Sequence, residues 1–205
     1  MQRHDTILRG RSAQHAVRSA FPVTYQEITK ALRMPLGFLL GALYLIFARP
    51  EPLPLAVGGS IALIGVIVRG WASGHIRKNE QLAVSGPYAY TRNPLYFGSF
   101  LIAAGFAIAA HWSLLLLVIA FFVLVYGPKI EAERLNILGR FPTEYPNYAE
   151  NVPVFFPRRT AWTDGQAGAD DPFSFDLYMK HGEWKAALVF VLAIAWLSFR
   201  ASQGS

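Results

Sequence analysis

The stretch LYFGSFLIAAGFAIAAHWSLLLLVIAFFVLVY, residues 95–126, decides how this chain folds. A membrane helix needs about 20 mostly apolar residues, so this run is too long for one span and short for two. His111, Trp112 and Ser113 are its only polar break. The pattern predicts a tight hairpin of two spans turning there, with an aromatic ring and an imidazole where the interface favours them. Two apolar runs precede it. Leu32 to Ala48 ends at Arg49 and the PEPLP turn, and Leu53 to Trp71 carries Gly58, Gly59, Ser60 and Gly65, small enough to let a neighbouring helix come close. A shorter run, Trp184 to Phe199, is bounded by Lys185 and Arg200 and reads as a fifth span.

Composition agrees with that reading. Of 205 residues 53% are hydrophobic and 16% charged, against about a quarter charged in soluble domains. The expected fold is an all-α polytopic membrane helix bundle of about five transmembrane helices. Its divisions are a cytoplasmic leader, 1–31, a membrane core, 32–157, an exposed Gly-, Asp- and Pro-rich linker, 158–183, and a short membrane helix with its tail, 184–205. The leader leaves a surface helix and a disordered segment both open. The first apolar run begins near Met34, too far along for an ordinary secretory leader, so the first span is expected to stay and act as its own insertion signal. With no cysteine, the chain has no disulfide, zinc–thiolate site or thiol nucleophile. His75 and His111 stand alone without ligand spacing, and no metal is assigned.

The net charge of +6 comes from bases that flank apolar runs, which points to a lipid bilayer and not to nucleic acid. The leader, the segment from Arg69 to Arg92 and the segment after Tyr126 hold most of the basic residues. The turns at Glu51 and His111 hold almost none. Under the hairpin reading the three basic segments share one side, which the positive-inside rule makes cytoplasmic. Segments 69–98 and 127–157 then meet on that face, as a cytosol-facing pocket of loops and helix ends, where irregular backbone is tolerated because it lines a cavity.

Gly86-Pro87-Tyr88, Tyr90, Arg92-Asn93-Pro94-Leu95-Tyr96 and Gly98 form a dense cluster just before the hairpin. Glu133, Phe141, Tyr145, Tyr148 and Val152-Pro153-Val154-Phe155-Phe156-Pro157 form a second cluster after it. Together they resemble the two signature blocks of the integral-membrane methyltransferases that include isoprenylcysteine carboxyl methyltransferases and phospholipid N-methyltransferases. The resemblance covers roughly residues 69–157. It implies S-adenosylmethionine as cofactor, with contacts from Ser73, Glu80, Gln81, Leu82, Ala83, Tyr88, Asn93, Pro94, Leu95, Tyr96 and Glu133. It also implies catalytic roles for Arg92 and Glu133, and substrate binding by Lys129. The chain departs from the signature at Asn93 (commonly His), Arg134 (a second Glu), Pro142 (Gly) and Lys129 (Arg in the carboxyl methyltransferases), changes that bear on the substrate more than on the cofactor.

The residue types suit this chemistry on their own terms. Methyl transfer from a sulfonium is an in-line displacement that requires alignment and exclusion of water, not a covalent enzyme nucleophile. A carboxylate and aromatic faces are the groups a cationic donor with an adenine ring calls for. Ordinary explanations stand beside these. Arg92 beside a span is a positive-inside anchor, interfacial tyrosines anchor membranes, and Lys129 with Glu133 has the spacing of a helix-surface ion pair. The methyltransferase reading leaves a lipid amine, a prenyl-type carboxylate and another lipophilic small molecule open as the acceptor. Two alternatives remain: an NADPH-dependent reductase of the sterol-reductase type, whose relatives carry a similar turn, and a transporter or scaffold. The last is disfavoured because no charged residue is expected within a span.

Overall fold

The computed structural model describes residues 37, 41, 44, 48, 50–77, 81–163 and 171–203. The leader, most of the first apolar run, and Glu80 lie outside the described residues. Among those described there are helices and turns and no strands.

Each helix starts or stops where backbone chemistry requires. Helix α1, Pro52–Ser73, and helix α2, Pro94–Ala110, both begin on a proline. The first turn of a helix has no internal use for its N–H groups, and proline's fixed φ already matches the helix. Pro94 therefore launches an apolar helix instead of merely breaking one. The chain turns at His111–Ser113 and runs back as α3, Leu114–Phe121. A π-helical turn, Phe122–Tyr126, follows and leads directly into α4, Gly127–Arg140. Pro128 cannot donate to the carbonyl four residues back, and the widened turn before it accommodates that lost bond. The apolar run and the polar segment after it thus form one continuous helix, Leu114–Arg140, of 27 residues. Lys129 and Glu133 ride on the end of a span, not on a separate loop.

Helices α1, α3–α4 and α7 (Trp184–Gln203) are long and apolar enough to cross a membrane. With 17 residues, α2 spans about 25 Å, near the lower limit for crossing. Its sequence allows an unusually close approach to α1. A Cβ added to Gly65 would lie 2.6 Å from the Gly98 carbonyl oxygen, and one on Gly105 would lie 2.6 Å from the Ala62 nitrogen. Glycines on both helices let the backbones touch, which is how membrane helices gain packing without a hydrophobic driving force. At the far end Leu55, Ala109 and Leu197 pack with Ala48, and Arg200 Nη2 donates to the Ala48 carbonyl at 3.4 Å.

Arg69 departs from expectation, because it lies within α1. Its guanidinium is neutralised there by a bidentate pair with Glu183, with N–O distances of 2.7 and 2.9 Å. The charge is tolerated because it is paired and hydrogen-bonded. The segment read as an exposed linker also has more structure than expected. Residues 171–183 carry helix α6, Phe175–His181, and dock on the end of α1 through the Ser174 N–H to the Gly74 carbonyl at 2.9 Å. Helix α6 is capped by the Ser174 side chain and ends at Gly182 with φ +71°, a left-handed position that suits glycine.

Candidate functional site

The two motif blocks are held together by backbone hydrogen bonds. Gly86–Ala89 forms a short 3₁₀ turn that starts from Gly86 with φ +55°. A Cβ there would be left-handed and only 2.6 Å from the His75 ring. The chain from Val152 to Trp162 runs alongside this turn. The Arg92 N–H donates to the Pro153 carbonyl at 2.9 Å, Arg158 N–H to Tyr90 at 2.9 Å, and Trp162 N–H to Ala89 at 3.0 Å. Side chains reinforce the seam: Thr91 Oγ1 donates to the Phe155 carbonyl, Asn93 Nδ2 to Val154 and the Tyr148 hydroxyl to Tyr88, each at 2.8 Å. Beneath it Val84, Tyr145, Tyr148, Val152 and Trp162 form a buried cluster. Helix α5, Tyr145–Asn151, supplies its tyrosines. The VPVFFP stretch is therefore the splint that rigidifies the Gly-Pro-Tyr turn.

A cavity of about 990 Å³ opens between this turn, the first turn of α2 and the side of α4. Tyr88, Arg92, Asn93, Pro94, Leu95 and Tyr96 line it from one motif block, and Lys129 and Glu133 from α4. Gln81, Leu82 and Ala83 line it too. The expected residues outside that set are Glu80, which is not described, and Ser73. Ser73 is fully buried behind the wall, its hydroxyl donating to the Gly70 carbonyl within α1, so its side chain is not offered to a ligand. The amide of Asn93 is committed to Val154 as described. Arg69, Tyr126, Tyr145 and Tyr148 also line the cavity without having been singled out as site residues. By sequence Arg69 reads as a flanking base. Tyr126, the last residue of the π-helical turn, stands three and seven residues before Lys129 and Glu133, a spacing that places it on their side of the continuous helix.

Electrostatically the cavity is basic. Six cationic side chains, Arg69, Arg77, Arg92, Lys129, Arg134 and Arg140, line it with one carboxylate, Glu133, among the described residues. Arg69 is paired with Glu183 and Arg134 with Glu131 at 2.6 Å, whereas Arg77 stands 3.8 Å from Asp171. Glu133 accepts a hydrogen bond from the Tyr96 hydroxyl at 2.9 Å and makes no ion pair with Lys129. Arg92 Nη1 donates to the Tyr145 hydroxyl at 3.2 Å. Among the described residues two buried donors of the cavity lining lack partners: the Tyr88 hydroxyl and Arg92 Nε. Burial, with Glu133 and Glu183 nearby, pushes the Tyr88 phenol far above its ordinary pKa, so it remains a protonated donor.

An all-helical membrane protein with a cavity lined by basic and aromatic side chains at one end of its bundle is the class that fold and site define. A family model described as phospholipid methyltransferase matches residues 55–134. The chain is 30% identical over 145 residues to the cobalt-zinc-cadmium resistance protein CzcN of Cupriavidus metallidurans, covering 69% of this chain and 67% of that one. It is 28% identical over 141 residues to the nickel-cobalt-cadmium resistance protein NccN of Alcaligenes xylosoxydans xylosoxydans, covering 67% and 66% respectively. No solved structure matches. The chain belongs to the phospholipid methyltransferase family.

Proposed function

We propose that this protein is an integral-membrane methyltransferase that uses S-adenosylmethionine and methylates a lipophilic acceptor carrying an anionic head. The observation that carries this reading is the cavity itself, where two motif blocks distant in sequence converge around two unpartnered buried donors. Such donors cost about 1–3 kcal/mol each when left unmade, and a ligand oxygen would recover that. A volume near 1,000 Å³ is at the upper end of small-molecule sites and suits a donor together with the head of an acceptor.

When bound, the sulfonium supplies an electrophilic methyl group on a neutral thioether leaving group. The chain's own residues do the rest. Glu133, held by Tyr96, presents its carboxylate to a cation or to hydroxyl groups. Arg92 and Lys129 line the cavity together with the first turn of α2, whose N-terminal end is positive, and favour an anion as the second ligand. A carboxylate acceptor arrives ionised and needs no general base, whereas an amine must first lose a proton. The phenol of Tyr88 contributes a fixed donor and no proton transfer. A divalent cation would meet six basic groups and one carboxylate, so a part in metal resistance, as the relatives' names suggest, would run through methylation and not through holding the metal here.

Calorimetry on protein in detergent tests this reading. S-adenosylhomocysteine should bind with micromolar-range affinity, about 7–8 kcal/mol, and NADPH should not compete. Tight NADPH binding with no response to the homocysteine nucleoside would replace the methyltransferase with a reductase.

A further inference from the structure

Asp171 and Glu183 lie beyond the stretch that the family model matches and outside the cavity lining, yet each bonds a side chain that lines the cavity, Gln81 and Arg69 respectively. The Arg69 guanidinium that Glu183 grips also donates through Nη1 to the Leu95 carbonyl at 3.3 Å and to Ser99 Oγ. One side chain thus ties the start of α7 to the first turn of α2, the turn that opens on the cavity. The pair is sheltered, with side chains 24% and 13% exposed. At the other end of the segment Asp171 accepts a hydrogen bond from Gln81 Nε2. Between them the His181 ring Nδ1 donates to the Ser73 carbonyl at 3.0 Å, and the Phe173 ring packs on His75 at 5.9 Å.

The geometry points to residues 171–183 as a strap that positions the cavity wall. Asp171 orients the Gln81 amide, and Glu183 fixes the first turn of α2 through Arg69. An ionised carboxylate only accepts hydrogen bonds, so it takes the amide nitrogen of Gln81. The amide oxygen is then the group that Gln81 offers a ligand, and it selects a donor such as an exocyclic amine or ribose hydroxyl of a nucleoside. That ligand assignment rests on the methyl-transfer reading. Asp171 and Glu183 are positioning residues that act through Gln81 and Arg69.

A double-mutant cycle separates positioning from general structural support. Asp171→Leu and Gln81→Ala should each weaken S-adenosylhomocysteine binding roughly tenfold, as loss of one hydrogen bond does. The double variant should bind no worse than Gln81→Ala alone. Asp171→Asn, which keeps an acceptor, should retain most of the affinity. Additive losses, or unchanged affinity in folded Asp171→Leu, would overturn the proposal. Amide hydrogen exchange gives a second arm that needs no ligand. Protection over residues 81–85 should fall in Asp171→Leu, and over 94–99 in Glu183→Gln, whereas unchanged protection in both removes the strap. If the wild-type protein binds no S-adenosylhomocysteine, the methyl-transfer reading fails and the exchange arm still decides the strap.

Discussion

The Tyr88 hydroxyl and the Glu133 carboxylate make opposite predictions from the same cavity. Tyr88 is 6% exposed and its hydroxyl has no partner, so in the ligand-free protein that group is a cost. Tyr88→Phe should therefore raise the melting temperature, by about 1 kcal/mol of stability, while weakening cofactor or acceptor binding. A tyrosine serving only as a structural anchor would lose stability on the same change, and a thermal melt beside a calorimetric titration reads both. For Glu133 the comparison is with Gln, which keeps the size and one acceptor. Removing its charge should cost about 1.5–3 kcal/mol in S-adenosylhomocysteine affinity, roughly ten- to a hundred-fold, in protein that melts as wild type does. Unchanged affinity would put the carboxylate outside the binding site. Most of this wall was legible only through the family resemblance; Tyr88, Arg92 and Asn93–Tyr96 then lie close together around Pro87 and Pro94, and a stiff segment keeps such neighbours on one wall. Ser73, a contact implied by the resemblance, has its side chain buried behind the wall, because a motif match does not say which face of α1 turns to the cavity. Arg69 was read as a flanking base because its partner, Glu183, is 114 residues away.

At the scale of elements, the α1–α2 contact decides whether the site holds its shape. Gly65 and Gly98 face each other across it, and Gly98 stands two residues after the cavity-lining turn Pro94–Tyr96. Gly65→Ala would place a methyl 2.6 Å from backbone, which cannot yield as a flexible side chain can. The helices must separate, at about 1–3 kcal/mol, the usual cost of overpacking. Gly59→Ala on the same helix meets only the tip of Ile194 at 3.3 Å and should be tolerated. The test compares melting temperatures of the two variants, and equal losses would mean that the close approach is not what holds α1 to α2. The small residues of α1, the hairpin at His111–Ser113 and the run of α7 were legible, since apolar length and a single polar break suffice for them. The continuation of α3 into α4 was not. A Gly-Pro pair reads as a helix stop, and only the widened turn at Phe122–Tyr126 shows how the helix passes it. Nor was the docking of residues 171–183, because its Gly, Asp and Pro content suits a loop whether or not the loop has a partner.

For the whole molecule, the two ends of the bundle differ in charge, and by the positive-inside rule that difference predicts which way the protein faces. Arg77, Arg92, Lys129, Arg134, Arg140, Arg158 and Arg159 lie at the cavity end or just beyond it, while the opposite end presents Glu51, His111 and Trp112 with Arg200. Basic residues within reach of span ends are retained on the cytoplasmic side during insertion. The cavity should therefore face the cytoplasm, with the His111–Ser113 turn on the other side. Because the chain has no cysteine, single introduced thiols report position without a background. Ser113 and Thr143 are both exposed and stand in turns at the two ends. In intact cells a membrane-impermeant maleimide should label Ser113→Cys, and should reach Thr143→Cys only after the membrane is opened. The reverse pattern would leave the helix packing untouched but place the cavity outside, away from the cytoplasmic supply of S-adenosylmethionine. Labelling of both thiols in intact cells would instead require the hairpin of α2 and α3 to stop short of crossing.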